Sequence, residues 1–186
     1  MAWLDENTGK KEVVTEVVEE KKVVTTTAFD FTEETNSGKE VFAIYGMKGS
    51  GKTTLSMSFP GKIMTISFDN KATIVKNNFY QNNERIKVYN AVKYYDENPN
   101  TVLDSSEITY NYISALLDNV AKNGNFDWLI FDCSEILTVI CEMVMRKRNK
   151  VGVYSGVINR NIWKERKAML SALHKKALNY CNKGII

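Results

Sequence analysis

The feature that most constrains this chain is the segment GMKGSGKT at residues 46–53, which matches the pattern GxxxxGK[ST] at every fixed position. In such a loop the glycines let the backbone direct its N–H groups towards phosphate oxygens. Lys52 is expected to reach the terminal phosphates of a nucleotide, and Thr53 to ligate magnesium. The predicted nucleotide-binding residues are Gly46, Met47, Lys48, Gly49, Ser50, Gly51, Lys52, Thr53 and Thr54.

The residues on either side of this loop support the prediction. Residues 40–45 form a short apolar run rich in β-forming residues, which predicts a strand covered on both faces. Residues 53–59 are predicted to be helical, with Pro60 and Gly61 ending the helix. Strand, loop and helix in this order are the context in which phosphate binding is expected.

Two further apolar runs end in an acidic residue. Residues 62–68 precede Asp69, and residues 128–131 precede Asp132. Four apolar residues followed by aspartate is the Walker B form, so Asp132 is predicted to hold magnesium beside Thr53, at the C-terminal edge of the sheet. ATP hydrolysis also needs a group that positions water, and for this role Asp69 is preferred, with Glu135 as the alternative.

The remaining sequence alternates between predicted helices and strands. Residues 86–89 predict a short strand, residues 104–123 a helix that starts at a capping box, and residues 135–145 another helix. The last helix is predicted from about residue 159 to residues 182–184, and Ile185 and Ile186 begin a further strand. This pattern indicates an α/β fold with a largely parallel sheet flanked by helices.

Residues 1–38 differ in composition from the rest, since they repeat Val, Thr, Glu and Lys. They are predicted to be a flexible tail or linker, in which Phe29 and Phe31 are candidate anchors on a neighbouring subunit. Residues 39–186 are predicted to be the globular core. Three widely spaced cysteines and one histidine predict no zinc site and a reducing, intracellular setting, and no apolar run is long enough to predict a membrane span.

Positive charge is concentrated near the C-terminus. Residues 142–186 contain eleven Lys or Arg and two Asp or Glu, a balance of +9, whereas the whole chain has a net charge of +3. The segment 146–156 begins with basic residues and contains two glycines, so it is predicted to be a mobile loop that binds a polyanion. A solvated helix end would explain the same charges. The candidate contacts to nucleic acid are Arg146, Lys147, Arg148 and Lys150 for phosphates, and Tyr154 for stacking on a base.

Taken together, the segments GMKGSGKTT, TISFD, WLIFDCSEI and NIWKERKAMLSALHKKALNYCNKGII resemble the RecA-like P-loop ATPases. The closest similarity is to the small phage-type members linked to single-strand annealing and recombination, and it covers about residues 40–186. The resemblance implies ATP and Mg²⁺ as cofactors, homo-oligomers with ATP near subunit interfaces, and a cytoplasmic location in a phage-infected or prokaryotic cell. It also implies that residues 146–158 bind single-stranded DNA, and that Asp69 stands where the family has a water-activating glutamate.

In the RecA-like core, the strand after the last helix lies between the phosphate-loop strand and the Walker B strand. Because the sequence stops where that strand begins, we expect a core that is truncated before its fourth strand or completed by a partner. Direct pairing of the first and third strands would instead favour a kinase-like arrangement.

The leading functional expectation is a Mg-dependent ATPase that acts on single-stranded DNA in recombination, annealing or replication. One alternative is a P-loop kinase of a nucleotide or small molecule. The other is a non-hydrolysing nucleotide switch that acts through partners.

Overall fold

The computed structural model describes residues 38–157 and 159–186. The predicted tail therefore lies outside the described residues, apart from Gly38, as do Phe29 and Phe31. The described chain contains five strands and six α-helices, and each strand is followed by one or two helices except the last. In order they are β1 (Glu40–Val41), α1 (Lys52–Met57), β2 (Ile63–Ser67), α2 (Ala72–Tyr80), β3 (Ile86–Asn90), α3 (Val102–Leu116), α4 (Lys122–Gly124), β4 (Phe126–Asp132), α5 (Glu135–Arg148), α6 (Ile162–Tyr180) and β5 (Cys181–Ile185).

The five strands form one all-parallel sheet in the order β1-β5-β4-β2-β3. β2 lies between β3 and β4, and all five of its residues are buried. Its register with β4 runs from Ile63 opposite Trp128 to Ser67 opposite Asp132, so these two strands end level with each other. The predicted α/β fold with a parallel sheet flanked by helices is confirmed.

Each face of the sheet packs against its own helices, because successive side chains of a strand point to opposite faces. On one face, Met64, Ile66 and Leu129 join a core with residues of α3, α5 and α6. On the other face, Ile63 and Ile130 pack with Met57 of α1 and with residues of α2. The sheet is thus covered on both sides, as buried parallel strands require.

The prediction that the core lacks its fourth strand is wrong. β5 lies between β1 and β4, and Ile186 extends its pairing by donating to the Leu129 carbonyl at 2.9 Å. α6 ends at Tyr180, well before Gly184, which the sequence pattern had placed at a helix end. Gly184 instead belongs to β5, where a Cβ would lie only 2.1 Å from the Glu40 carbonyl oxygen, so the close approach of β1 requires glycine there.

The prediction of a doubly covered strand at residues 40–45 is also wrong. β1 contains two residues and lies at the edge of the sheet, with Val41 63% exposed and Tyr45 90% exposed. Phe42 is partly covered, because its ring packs 5.2 Å from that of Phe59 and 5.9 Å from that of Trp128. An apolar run typical of a central strand therefore occupies a position that has a single neighbouring strand among the described residues.

The helix α3 begins at Val102, so the predicted capping box does not form its start. α3 continues into a π-helical turn at residues 117–121, and this turn carries Asp118. The Asp118 carboxylate accepts hydrogen bonds from Lys176 at 2.8 Å and from Tyr180 at 3.0 Å, which ties α3 to α6. None of the helices within residues 38–157 and 159–186 combines the length and hydrophobicity needed to cross a bilayer.

Candidate functional site

The loop of residues 46–51 lies between β1 and α1, directly before α1, and has the backbone conformation that its glycines allow. Gly49 and Gly51 have φ angles of 83° and 80°, in the left-handed region that disfavours residues with a Cβ. The first turn of α1 begins directly after Gly51, and no side chain of the described residues caps it. The N–H groups of this turn have no partners within the helix.

The Lys52 side chain folds back over this loop. Its Nζ donates hydrogen bonds to the carbonyl oxygens of Gly46 at 2.8 Å and Met47 at 2.9 Å. These two carbonyls are neutral acceptors, and a phosphate oxygen is a stronger, charged acceptor for the same ammonium group. The amine is thus held at the loop by bonds that an anionic ligand can replace.

Thr53 and Asp132 are in direct contact although 79 residues separate them in the chain. Thr53 Oγ1 donates a hydrogen bond of 2.8 Å to Asp132 Oδ1. The contact forms because Thr53 lies in the first turn of α1 and Asp132 is the last residue of β4. A hydroxyl and a carboxylate are thereby placed side by side next to the loop, and both are oxygen ligands of the type that Mg²⁺ prefers.

The second carboxylate oxygen of Asp132 is buried and has no hydrogen-bond partner within the described residues. The pKa of Asp132 is raised above its ordinary value, mainly by burial and also by the charge of Asp69; the Thr53 hydrogen bond and Lys52 act in the opposite direction. A buried carboxylate oxygen without a donor is costly in free energy. A bound cation would remove that cost, so this side chain fits the role of a magnesium ligand.

The two candidate water-positioning acids differ in their surroundings. Asp69 follows β2, its Oδ1 accepts a hydrogen bond from the Lys71 amide at 3.0 Å, and its Oδ2 lies 3.5 Å from Lys71 Nζ. Its charge is felt at Asp132, as the pKa of Asp132 indicates. Glu135 lies in the first turn of α5 and is exposed. Of the two candidate acids, Asp69 is therefore the one whose charge acts on Asp132 of the Thr53–Asp132 pair.

Two residues that sequence reasoning missed hold α1 in place. Tyr80 Oη donates to the Thr54 carbonyl oxygen. Arg85 donates to the carbonyl oxygens of Met57 at 2.9 Å, Phe59 at 2.7 Å and Gly61 at 3.0 Å, which follow one another around the C-terminal end of α1. Both residues come from the polar region between β2 and α3, where no motif marks them.

Cys133 is a further residue without a sequence signal. It follows Asp132 directly, is exposed, and has a φ angle of 65°, which is uncommon for a residue with a side chain. The chain therefore turns sharply as it leaves β4. Burial and the neighbouring carboxylates of Asp69, Asp132 and Glu135 raise the pKa of its thiol.

The first of the predicted nucleic-acid contacts, Arg146, is a buried structural residue. It is 9% exposed, forms a 2.9 Å ion pair with Glu142, and donates to the carbonyl oxygens of Gly152 at 3.0 Å and Ser155 at 2.8 Å. Its guanidinium thus ties the end of α5 to the segment that follows. The sequence pattern showed the charge of this residue but not these partners.

Two more of the predicted contacts are paired with acids. Lys147 lies 2.7 Å from Asp104 and 2.6 Å from Glu107, and these bonds raise the pKa of its amine. Arg148 lies 3.3 Å from Glu165. Lys150 and Tyr154, the remaining two of the five candidates, have exposed side chains, and Tyr154 is 84% exposed. Within residues 38–157 and 159–186, neither of them pairs with an acid.

Among the described residues, no three His, Cys, Asp or Glu side chains lie close enough together to form a metal centre on their own. No family model, curated protein or solved structure matches this chain.

Proposed function

We propose that this chain is a Mg-dependent ATPase of the RecA-like P-loop type. The observation that carries the proposal is the hydrogen bond between Thr53 and Asp132, which joins the hydroxyl after the loop lysine to the acid at the end of β4. With the amine of Lys52 at the loop and an unpartnered oxygen on Asp132, the site offers one cation for phosphate and two oxygen ligands for magnesium.

The strand order supports the RecA-like assignment. β5 separates β1 from β4, which is the arrangement that the resemblance implies for the phosphate-loop and Walker B strands. A kinase-like arrangement would pair β1 directly with β4. The order in this sheet therefore favours an ATPase over the kinase alternative.

In the proposed site, Lys52 exchanges its two carbonyl acceptors for terminal phosphate oxygens, and Thr53 and Asp132 hold the magnesium ion. Magnesium neutralises charge on the phosphates when it is bound. Asp69 is the candidate for orienting water, since its charge lies near Asp132 while Glu135 is exposed. Lys71 contacts both oxygens of the Asp69 carboxylate, through its amine and its backbone amide, and so fixes the direction of this side chain.

The binding part of the proposal is tested by measuring the affinity for ATP with Mg²⁺ and with EDTA. Lys52→Ala is expected to weaken Mg-ATP binding by at least tenfold. Lys87→Ala removes an exposed lysine on β3, outside the predicted nucleotide-binding residues, and is the control, with affinity close to wild type. Equal affinity of Lys52→Ala and wild type would contradict the proposal.

Hydrolysis separates the ATPase from the nucleotide switch. Asp69→Asn is expected to reduce turnover strongly while leaving Mg-ATP affinity within a few-fold of wild type. Glu135→Gln is the comparison. A large loss of turnover in Glu135→Gln alone would assign the positioning of water to Glu135 instead of Asp69. Tight ATP binding by the wild type without turnover would favour the switch.

We further propose that residues 149–157 bind single-stranded DNA through Lys150 and Tyr154. If Lys150 contacts a phosphate, Lys150→Ala is expected to reduce the slope of log affinity against log salt concentration by about one released counterion. Tyr154→Ala is expected to remove base stacking worth about 1–3 kcal/mol of binding free energy. Lys87→Ala, at an exposed position on β3, is the control. Unchanged DNA affinity in both loop variants would refute this part without affecting the ATP site.

A further inference from the structure

Two buried oxygen atoms without partners lie at the same register on neighbouring strands. Ser67 is the last residue of β2, is 1% exposed, and pairs in register with Asp132 at the end of β4. Within the part of the chain that the structure describes, neither Ser67 Oγ nor Asp132 Oδ2 has a hydrogen-bond partner. Register partners on parallel strands project to the same side of the sheet, with their backbones about 4.8 Å apart.

Both side chains lie on the sheet face that α1 covers. Ile63 of β2 and Ile130 of β4 point to this face and pack with Met57 of α1, and the two-residue alternation of a strand places Ser67 and Asp132 on the same side. Thr53 of α1 confirms this orientation for Asp132, because it bonds to Asp132 Oδ1. A hydroxyl donor and a carboxylate oxygen that both lack partners are therefore neighbours beside the proposed magnesium site.

We propose that Ser67 is a positioning residue for Asp132, and this inference rests on the proposed Mg-ATP function. When Asp132 holds the magnesium ion, the Ser67 hydroxyl donates to one lone pair of Oδ2 and fixes the carboxylate with Oδ1 beside Thr53. The remaining lone pairs of the carboxylate stay available to the ion. The Ser67 side chain has one rotatable bond to its hydroxyl oxygen, and its staggered rotamers move the hydroxyl without moving the strand.

The other unpartnered buried hydroxyls are not placed to do this. Thr65 is on the same strand and face as Ser67, but its register partner on β4 is Ile130. Ser106 and Thr109 belong to α3, which packs on the opposite face of the sheet. Among these hydroxyls within the described residues, Ser67 is the one in register with a carboxylate.

A donor that orients a metal-binding carboxylate changes metal affinity, typically by 10–100-fold when it is removed. The experiment titrates Mg²⁺ against the protein in the presence of a fluorescent ATP analogue, and measures binding of the same analogue in EDTA. Ser67→Ala is expected to raise the Mg²⁺ concentration at half-saturation about tenfold, with binding in EDTA unchanged. Ser67→Thr keeps the hydroxyl and is expected to stay near wild type.

Thr65→Val is the matched control, because it removes an equally buried, unpartnered hydroxyl from the same strand and face. It is expected to leave the Mg²⁺ titration unchanged. Ser67→Cys keeps the volume and replaces the hydroxyl by a weak donor, so it is expected to follow Ser67→Ala and tests the inference even if the alanine variant fails to fold.

The outcomes separate this inference from the function on which it rests. A Mg²⁺ titration of Ser67→Ala equal to that of wild type, or equal losses in Ser67→Ala and Thr65→Val, would overturn the role of Ser67 while Lys52-dependent nucleotide binding stands. A wild-type protein that binds no nucleotide, or binds it equally well as Lys52→Ala, would overturn the proposed function and the role of Ser67 with it.

Discussion

Replacing Arg146 by alanine tests whether the start of the basic segment is a structural anchor or an exposed contact. Its guanidinium is buried, pairs with Glu142, and holds the carbonyl oxygens of Gly152 and Ser155. Each hydrogen bond from a charged donor contributes about 1.5–3 kcal/mol. Glu142 keeps a second partner, Arg166 at 3.2 Å, so the acid is not left unpaired in the variant.

We therefore expect Arg146→Ala to lower the free energy of unfolding by about 3 kcal/mol, most of it from the two carbonyls. For a chain of this size that corresponds to a fall in melting temperature of about 6–12 °C. Arg146→Lys keeps the charge but lacks the planar fork that reaches several acceptors, so it is expected to recover less than half of the loss.

The measurement is urea unfolding followed by tryptophan fluorescence, with a shift in midpoint at a constant slope. Lys150→Ala is the matched control, because it removes an exposed charge from the same segment and is expected to change stability by less than about 0.5 kcal/mol. A loss below about 0.5 kcal/mol in Arg146→Ala would refute the anchoring role and return this residue to the set of candidate phosphate contacts.

Three further predictions follow from other parts of the structure. The folded-state pKa of Asp132 lies above its ordinary value of 3.8, so the ionised form of this side chain destabilises the fold at higher pH. In EDTA, Asp132→Asn is therefore expected to be more stable than wild type at pH 7 and equally stable near pH 4. Equal urea midpoints of the two proteins at pH 7 would contradict this. A thiol reagent is expected to modify the exposed Cys133 in the folded protein. The buried Cys141, whose pKa is raised to about 11, is expected to react only after unfolding. Cys133→Ser should therefore abolish the reaction of the folded protein. Arg85→Ala is expected to cost about 2 kcal/mol in urea unfolding, because three carbonyls at the end of α1 lose their donor, and an unchanged midpoint would show that water replaces it.

The sequence predicted those parts of the fold that depend on local pattern. Apolar runs identified β2 and β4, and the acids at their ends indicated which residues would lie at the C-terminal edge of the sheet. Since α1 follows the loop directly, the position of Thr53 near Asp132 was also accessible from the order of elements. Local hydrophobicity and spacing suffice for these features because each depends on a few adjacent residues.

Features that depend on distant partners were not accessible in this way. The hydrophobicity of residues 40–45 does not encode how many strands will flank β1, so its edge position was missed. Gly184 has the appearance of a helix stop, and only the carbonyl of Glu40 shows why a strand needs glycine there. The charge of Arg146 likewise suggests exposure until Glu142 and the loop carbonyls are seen around it.

The pairing of β1 with β5 has a consequence for the order in which the protein folds. Within the described residues β5 is the sole sheet neighbour of β1, and nearby Lys39 donates to the Leu178 carbonyl, 139 residues further along the chain. Closing a loop of that length costs about 4 kcal/mol in chain entropy. At a synthesis rate of about 5–20 residues per second, roughly 7–30 s pass between the synthesis of β1 and that of its partner strand β5. The strand that precedes the loop of residues 46–51 is therefore paired late, and until then the apolar residues around β1 are available to chaperones and to other nascent chains.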